Sequence, residues 1–321
     1  MQDGSGHRFN LQTTGFHPRE PGDVVSWWCI REFLGTMRIF ITGLNGFIAR
    51  HLRAYLEAKG HTVSGTSRSG PLVWRLGDPA DPAWFRGVDV VIHAAHDFAR
   101  GAMEANVRGT LALEEAASRA GVARQVLVSS LSARPDAAAE YGRTKLAEEE
   151  PFGKRGHTIV RPGTVLGKGG LFGRMAGMVE RWPVLPLLDG GRGPMTVIGI
   201  GDLCRAFGEI LRRPAGGEFN LYYAERPTLG DLLRLLRAIL GRKCLFLPFP
   251  ALLLLAPLTL LRWMRIPTPV DVDNLKGYLK SQEPHHGTTL SAVLERPQSM
   301  EQALREAWGT GESVAEERRG G

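Results

Sequence analysis

The 321-residue chain is 43% hydrophobic and carries 40 Lys and Arg against 33 Asp and Glu, a formal net charge of +7, so it can bury the core of one large domain or two modest ones. Its cations are spread through every segment rather than gathered in one basic run, which excludes a nucleic-acid-binding arm and leaves a solvated basic surface suited to anionic ligands. Three cysteines, Cys29, Cys204 and Cys244, without CxxC spacing exclude a disulfide framework and a zinc ribbon, and a reducing cytoplasm fits best.

Residues 1–36 have no apolar stretch behind a cationic start and do not read as a signal peptide. They read as a poorly ordered extension, or as an upstream mis-assigned start, because Met37 stands immediately before the first strand. Residues 37–52, Met-Arg-Ile-Phe-Ile-Thr-Gly-Leu-Asn-Gly-Phe-Ile-Ala-Arg-His-Leu, read as strand, glycine turn and helix. Gly43 and Gly46 let the backbone close on a pyrophosphate, which the free N–H groups and positive end of the helix attract. The helix ends near Lys59-Gly60, where glycine takes the left-handed cap, and a second strand follows at 61–66. A site for NAD carries an acid about 20 residues past the glycines to hold the ribose 2′-hydroxyl. Here Thr66-Ser67-Arg68-Ser69 stands instead, and Arg68 among hydroxyls suits the 2′-phosphate of NADP, the alternative being an exposed loop arginine.

A third short strand is expected at 72–76, followed by Asp78, which can accept from an adenine amino group or cap the next turn. The apolar run 88–95 closes in His93-Ala94-Ala95, where small side chains at a strand's carboxyl end let a cofactor lie against the backbone. His93, His96 and Asp97 share no fixed face and read as a loop beside the cofactor, with no metal expected. A long helix over 104–121 and a strand over 125–128 lead to Ser129-Ser130. Tyr141 stands eleven residues beyond Ser130, and Lys145 four residues further shares its helix face.

A tyrosine hydroxyl with its ordinary pKa near 10 is a poor base at neutral pH, and an ammonium one turn away favours the phenolate. Lys145 can supply that charge and hydrogen-bond a nicotinamide ribose. Ser130 can hold the substrate oxygen from the strand end. Together these groups place a proton donor or acceptor beside a hydride carrier, as interconversion of an alcohol and a ketone requires.

Taken in order, Thr42-Gly43-Leu44-Asn45-Gly46-Phe47-Ile48, His93-Ala94-Ala95, Asn106-Val107-Arg108-Gly109-Thr110, Ser129-Ser130, Tyr141 with Lys145, and Arg161-Pro162-Gly163 form a familiar series. With them the chain resembles the extended or atypical short-chain dehydrogenase/reductase superfamily, and within it the NAD-dependent epimerase/dehydratase family, over residues 37–240. The resemblance implies an α/β fold, a Rossmann-type doubly wound parallel sheet with a smaller, mostly C-terminal substrate-binding region. It implies Tyr141 as catalytic acid or base, Lys145 as its electrostatic and ribose partner, and Ser130 as the substrate-orienting group. It further implies an NADP or NAD site drawn from Gly43, Asn45, Gly46, Phe47, Ile48, Arg68, Asp78, His93, Ala94, Ala95, Asn106, Tyr141, Lys145 and Pro162. Three departures stand out. Ala49 replaces the usual third glycine, Gly199 and Gly201 stand where the family often has a histidine and an acid, and the short gap from Ser130 to Tyr141 keeps Ser132 open for the serine role.

In the second half, Gly167-Lys168-Gly169-Gly170 and the glycine-dense stretch 189–194 read as lids or turns. A strand at 197–200 with Asp202 as a helix N-cap, a late strand at 218–222, and a helix capped by Thr228 with Leu232, Leu233, Leu235, Leu236, Ile239 and Leu240 on a broad buried face follow. Residues 244–261 carry no charge over 18 positions, but Pro248, Pro250 and Pro257 argue against a straight membrane span. The main reading is a pair of apolar helices in the substrate region; membrane-surface contact through 244–266, aided by Arg262 and Arg265, is the secondary one and would suit a quinone, isoprenoid or sterol-like substrate. The segment also loosely resembles the carboxyl region of the complex I-associated members of the superfamily. His285-His286 alone make no metal site, and 310–321 read as a disordered tail.

The expected organisation is an extension at 1–36, a nucleotide-binding domain at 37–165, a substrate region interleaved with late sheet elements at 166–309, and the tail. The expected activity is NAD(P)-dependent hydride transfer at an alcohol or ketone carbon of a small-molecule substrate. The alternatives are a sugar-nucleotide epimerase or dehydratase that retains NAD, and a non-catalytic dinucleotide-binding scaffold. No nucleic-acid partner is expected, and a homodimer is left open.

Overall fold

Short runs of β-branched and apolar residues, buried on both faces, build the centre of the molecule. The computed structural model describes residues 35–99, 101–250 and 287–309, together with Leu253 and Thr259. Strands β1 (Arg38–Thr42), β2 (Thr62–Thr66), β3 (Val90–His93), β4 (Arg124–Val128) and β5 (Thr158–Pro162) join the ninth strand of the chain, β9 (Glu218–Leu221), in one sheet ordered β2-β1-β3-β4-β5-β9. Every pairing in it is parallel. Every residue of β3, β4 and β5 is buried, as parallel strands covered on both faces require.

The covering helices are α1 (Phe47–Ala58), α2 (Met103–Arg119), α3 (Glu140–Lys154), α4 (Gly170–Arg181) and α5 (Ile200–Arg212). Successive strand residues point to opposite faces, so they feed two cores. Ile39, Ile41, Val90 and Ile92 pack with Leu52 and Leu56 of α1 and Leu203 and Phe207 of α5. Phe40 and Val91 pack with Leu113, Ala116 and Ala117 of α2, and Leu127 and Ile159 with Phe152 of α3. Each fully buried leucine contributes about 1.5–3 kcal/mol. The strand order reverses between β1 and β3, which opens a crevice at their carboxyl ends, the usual ligand position in such sheets.

Beyond β5 the chain adds two small parallel pairs. These are β6 (Thr164–Leu166) with β8 (Val197–Gly199), and β7 (Val184–Leu188) with β10 (Leu245–Phe249). Helix α6 (Leu229–Ile239) starts at a reciprocal Thr228–Asp231 capping box; of the six apolar residues expected on its buried face, Leu232, Leu233 and Leu236 are buried, while Leu235, Ile239 and Leu240 pack against the core only half-buried. Helices α7 (Leu290–Val293) and α8 (Met300–Trp308) complete the described chain.

Three expectations are corrected. Residues 72–76 form no strand of the sheet: Val73 makes one isolated bridge with Ser67, because the Gly70-Pro71 turn brings the chain back only briefly before Trp74 drops into the Phe40–Phe85 core. Asp202 is not an N-cap. That position falls to Gly199, and the fully buried Asp202 carboxylate accepts from the Tyr223 hydroxyl at 3.0 Å and the Gln298 N–H at 2.7 Å, with Arg205 as its ion partner. Residues 245–249 are strand rather than helix, and Pro248, which would break a helix, is tolerated where only one side of β10 is paired. The rest of the 251–266 stretch apart from Leu253 and Thr259, residues 1–34 with Cys29, His285-His286 and 310–321 lie outside the described residues. Among the described residues no helix is long and apolar enough to cross a membrane.

Candidate active site

The crevice begins where β1 ends. Thr42 is buried, and its Oγ1 accepts from the backbone N–H groups of Ala94 and Ala95, both at 3.0 Å, which ties the end of β1 to the residues after β3. Gly43 follows at φ +73°, and a Cβ there would lie 2.9 Å from Ala95 Cα, so glycine is needed for both conformation and space. Gly46 donates to Gly43 O at 2.8 Å and sits at the N-cap of α1 with no side-chain cap and no acid in the first turn. Uncapped N–H groups and a positive helix end behind a glycine turn fit a pyrophosphate.

Asn45 Nδ2 donates to Ser69 O at 3.1 Å and Ser69 Oγ at 3.2 Å, so the glycine loop and the Arg68 turn form one unit. Arg68 is exposed and makes no ion pair among the described residues, and no acid stands between Glu57 and Asp78. Asp78 does not cap the next turn, a task that falls to Asp81, which accepts from Ala83 N–H at 2.8 Å; the Asp78 carboxylate accepts instead from the preceding Arg75 N–H at 3.1 Å. The Phe47 ring packs against Gly167, Gly169 and Gly170, and Arg50 donates to Lys168 O at 2.8 Å, so the second-half glycine loop seats the start of α1. Ile48 packs on the larger core.

The His93 ring does not reach the crevice. Its Nε2–H donates to Gln125 Oε1 at 2.8 Å, its edge meets Phe152 at 5.1 Å, and burial pulls its pKa down to about 4, so it is neutral. A cofactor can meet this residue only at its backbone. Asn106 is likewise committed: Nδ2 donates to Asp97 O and Ala102 O, and Oδ1 accepts from Asp97 N–H, each within 2.9 Å, so it clamps the loop after β3. Pro162, the last residue of β5, is buried and accepts at its carbonyl from Leu131 N–H at 3.3 Å, beside the serine turn.

The two serines after β4 have separate tasks. Ser129 is buried and donates to Glu149, whose carboxylate takes both Arg161 Nε at 2.8 Å and Nη2 at 2.7 Å, while Arg161 Nη1 reaches Glu218 at 2.6 Å. Burial alone would lower the Arg161 pKa, but Glu149 and Glu218 outweigh it and raise it. This network fastens β4, α3, β5 and β9 beneath the crevice. Ser130 Oγ accepts from Ser132 N–H at 3.1 Å in an exposed turn, which keeps both hydroxyls near the strand end. Gly142 brings that turn to the tyrosine helix, since a Cβ there would overlap the carbonyl oxygen of Ser132. Gly142→Ala is therefore expected to cost about 10²-fold in kcat through misplacement, with cofactor affinity retained; steady-state kinetics beside a cofactor titration check it.

Tyr141, next to Gly142, stacks on Phe98 with ring centroids 5.7 Å apart and meets His96 edge-on at 5.0 Å. Burial, reinforced by Lys145, pushes the His96 pKa down to about 3, so this ring is neutral too. Lys145 is buried, and its Nζ donates to Glu148 Oε2 at 2.8 Å, while Glu148 Oε1 accepts from Thr110 Oγ1 at 3.2 Å. Burial lowers the Lys145 pKa, but Glu148 and then Tyr141 more than offset it, so the ammonium persists at neutral pH.

Residues 39–221 match the model of the NAD dependent epimerase/dehydratase family. The chain belongs to this family. It is 31% identical over 243 residues to a ceramide reductase of Caulobacter vibrioides (strain NA1000 / CB15N), covering 67% of this chain and 75% of that relative. Its fold is similar to that of UDP-glucose 4-epimerase from Thermotoga maritima (TM-score 0.65, 18% identity, 84% of this chain and 97% of that one). It is also similar to TunA, an NAD-dependent NDP-hexosamine 5,6-dehydratase of tunicamycin biosynthesis (TM-score 0.64, 19% identity, 85% and 96%).

Within this family member, Phe98 and Glu148 join the site without having been singled out from the sequence, while Thr42 and His96 take contacts there that their motifs did not specify. Thr42 was visible as the threonine before the glycine turn. His96 and Phe98 enclose Tyr141 only through the fold. Glu148 is one of three consecutive glutamates, and nothing in their order tells which one turns to Lys145. At Gly199 a Cβ would lie 2.6 Å from Ala303 Cβ, so α8 occupies the space a side chain there would need. An open depression of about 490 Å³ lined by Glu114, Arg119, Arg155 and His157 lies at the amino ends of β4 and β5, away from this chemistry.

Proposed function

We propose that the protein is an NADP-dependent oxidoreductase that interconverts an alcohol and a ketone on a long-chain, ceramide-like lipid. The observation that carries this reading is the 31% identity to a ceramide reductase across 75% of that relative's length. The solved structures, at 18–22% identity, bear on the fold alone. On this reading residues 37–165 hold the nucleotide and 166–309 supply substrate contacts. The two described cysteines, Cys204 and Cys244, are free and buried, in keeping with a reducing cytoplasm.

The dinucleotide, when bound, supplies or takes up hydride at the substrate carbon. Gly43, Gly46 and the start of α1 hold its pyrophosphate, and Arg68 with the neighbouring serines takes the 2′-phosphate. In the reducing direction, the Ser130 or Ser132 hydroxyl donates a hydrogen bond to the substrate carbonyl oxygen. Tyr141 then gives its proton to that oxygen, and the Lys145 ammonium stabilises the phenolate left behind. Phe98, 80% exposed against Tyr141, offers an apolar surface beside the reacting group.

Arg68→Ala is expected to weaken NADPH binding by about 10- to 100-fold, the worth of hydrogen bonds to a charged group, while NADH binding stays unchanged. Equal wild-type affinities for the two would contradict the NADP assignment. For the reaction, NADPH consumption is followed with a long-chain keto amide in detergent micelles and, separately, with UDP-glucose. The lipid is expected to turn over and the sugar nucleotide is not. An epimerase that retains its cofactor would instead release NAD on denaturation and leave the lipid untouched.

A further inference from the structure

The parallel pair β7–β10 is half covered. Its inward residues, Leu185 and Leu187, are buried in the larger core. Its outward residues are also apolar: Val184 and Leu245 are register partners, 40% and 55% exposed, and Pro186 and Leu247 are the next such pair, with Leu247 47% exposed. Trp182, 49% exposed and two residues before Val184 in extended backbone, continues the same face. A soluble surface rarely leaves two adjacent strands apolar on their outer side without something to cover them.

Cations rim one end of this face. Arg181 precedes β7, and Arg242 and Lys243 precede β10, all three exposed and with no ion pair among the described residues. The Leu245 N–H donates to Pro183 O at 2.8 Å, and carrying the Leu245–Val184 register back two residues sets Lys243 beside Trp182. Glu180 lies before this group on α4, and Asp189 and the exposed Arg192 stand together at the far end, so three cations face one acid at the start of the strands and one cation one acid at their end. An indole and basic side chains around an apolar face are the composition of an interfacial anchor.

We propose that the outer face of β7–β10 docks on an anionic lipid bilayer, with Trp182, Val184, Leu245 and Leu247 entering the headgroup boundary and Arg181, Arg242 and Lys243 meeting lipid phosphates. A bilayer suits the face better than a second copy of the chain, because the exposed cations at its rim, in a molecule of net charge +7, complement an anionic surface and not an identical, equally cationic copy. The face also connects to the catalytic crevice. Helix α4 runs 12 residues, about 18 Å, from the glycine loop that seats α1 to Trp182. The inference stands on this surface and not on the identity of the substrate.

The test is flotation of the full chain with vesicles of phosphatidylcholine alone or with phosphatidylglycerol. Wild type is expected to bind the anionic vesicles at least about tenfold better than the neutral ones, with the gain lost in high salt. Two variants, Arg242→Glu/Lys243→Glu and Leu245→Glu/Leu247→Glu, are each expected to bind about tenfold less than wild type, with unchanged thermal midpoints. The first changes only exposed loop side chains and keeps the test valid if the second folds poorly. A wild-type chain that ignores both vesicles, or variants that bind as well as wild type, would overturn the proposal. Self-association in the absence of lipid that Leu245→Glu/Leu247→Glu abolishes would also overturn it, by giving the face to a second copy.

Discussion

Tyr141→Phe is expected to lower kcat by about 10²- to 10⁴-fold, the usual worth of a positioned general acid. The substitution removes one oxygen and keeps the ring, which stays stacked on Phe98 and edge-on to His96. Lys145 keeps its buried partner Glu148, so no charge is stranded. Cofactor affinity and thermal midpoint are therefore expected to match wild type, and the loss belongs to the proton transfer. Turnover that survives the change would remove Tyr141 from the chemistry. Wild type that binds NADPH and turns over neither lipid ketones nor sugar nucleotides would favour the dinucleotide-binding scaffold.

The second large effect is structural. Arg161→Ala is expected to destabilise the protein by about 3–5 kcal/mol, because it leaves the buried Glu149 carboxylate without the two guanidinium hydrogen bonds that compensate it. The thermal midpoint should fall by roughly 10 °C. Replacing both partners, as in Glu149→Gln/Arg161→Met, should recover much of the loss, since it removes the stranded charge together with its partner. Thermal and denaturant unfolding of the three proteins measures this. A single variant as stable as wild type would show that the network does not hold α3 against the sheet.

The sequence read well wherever the determining residues are neighbours. The glycine turn is legible because Gly43 and Gly46 act within one loop, and the Thr228 cap because its partner Asp231 is three residues away. Tyr141 and Lys145 sit one helical turn apart, so their shared face follows from the spacing alone. What was not legible depends on distant partners. Asp202 reads as a cap from its position, yet its carboxylate is claimed by Tyr223 and by Gln298, 96 residues on. Residues 245–249 become a strand only because β7 lies alongside them.

The three glutamates after Lys145 make the same point most sharply. Glu148 turns to Lys145 and Thr110, Glu149 to Arg161, and Glu150 outward to Lys154. Their chemistry is identical and their tasks are set by which helix face meets which neighbour. His93 shows the reverse. Its place beside the cofactor motif suggests a ligand, while its position in a strand buried on both faces puts the ring in the core between Gln125 and Phe152.

The central claim is that Tyr141 and a bound NADPH reduce a carbonyl on a long-chain lipid. The most direct measurement uses NADPH deuterated at the hydride position with a ceramide-like keto lipid, followed by mass analysis of the product from wild type and Tyr141→Phe. The account predicts that wild type places a single deuterium on the new carbinol carbon and that the variant forms almost no labelled product. Unlabelled product, or equal labelling by the variant, would contradict it.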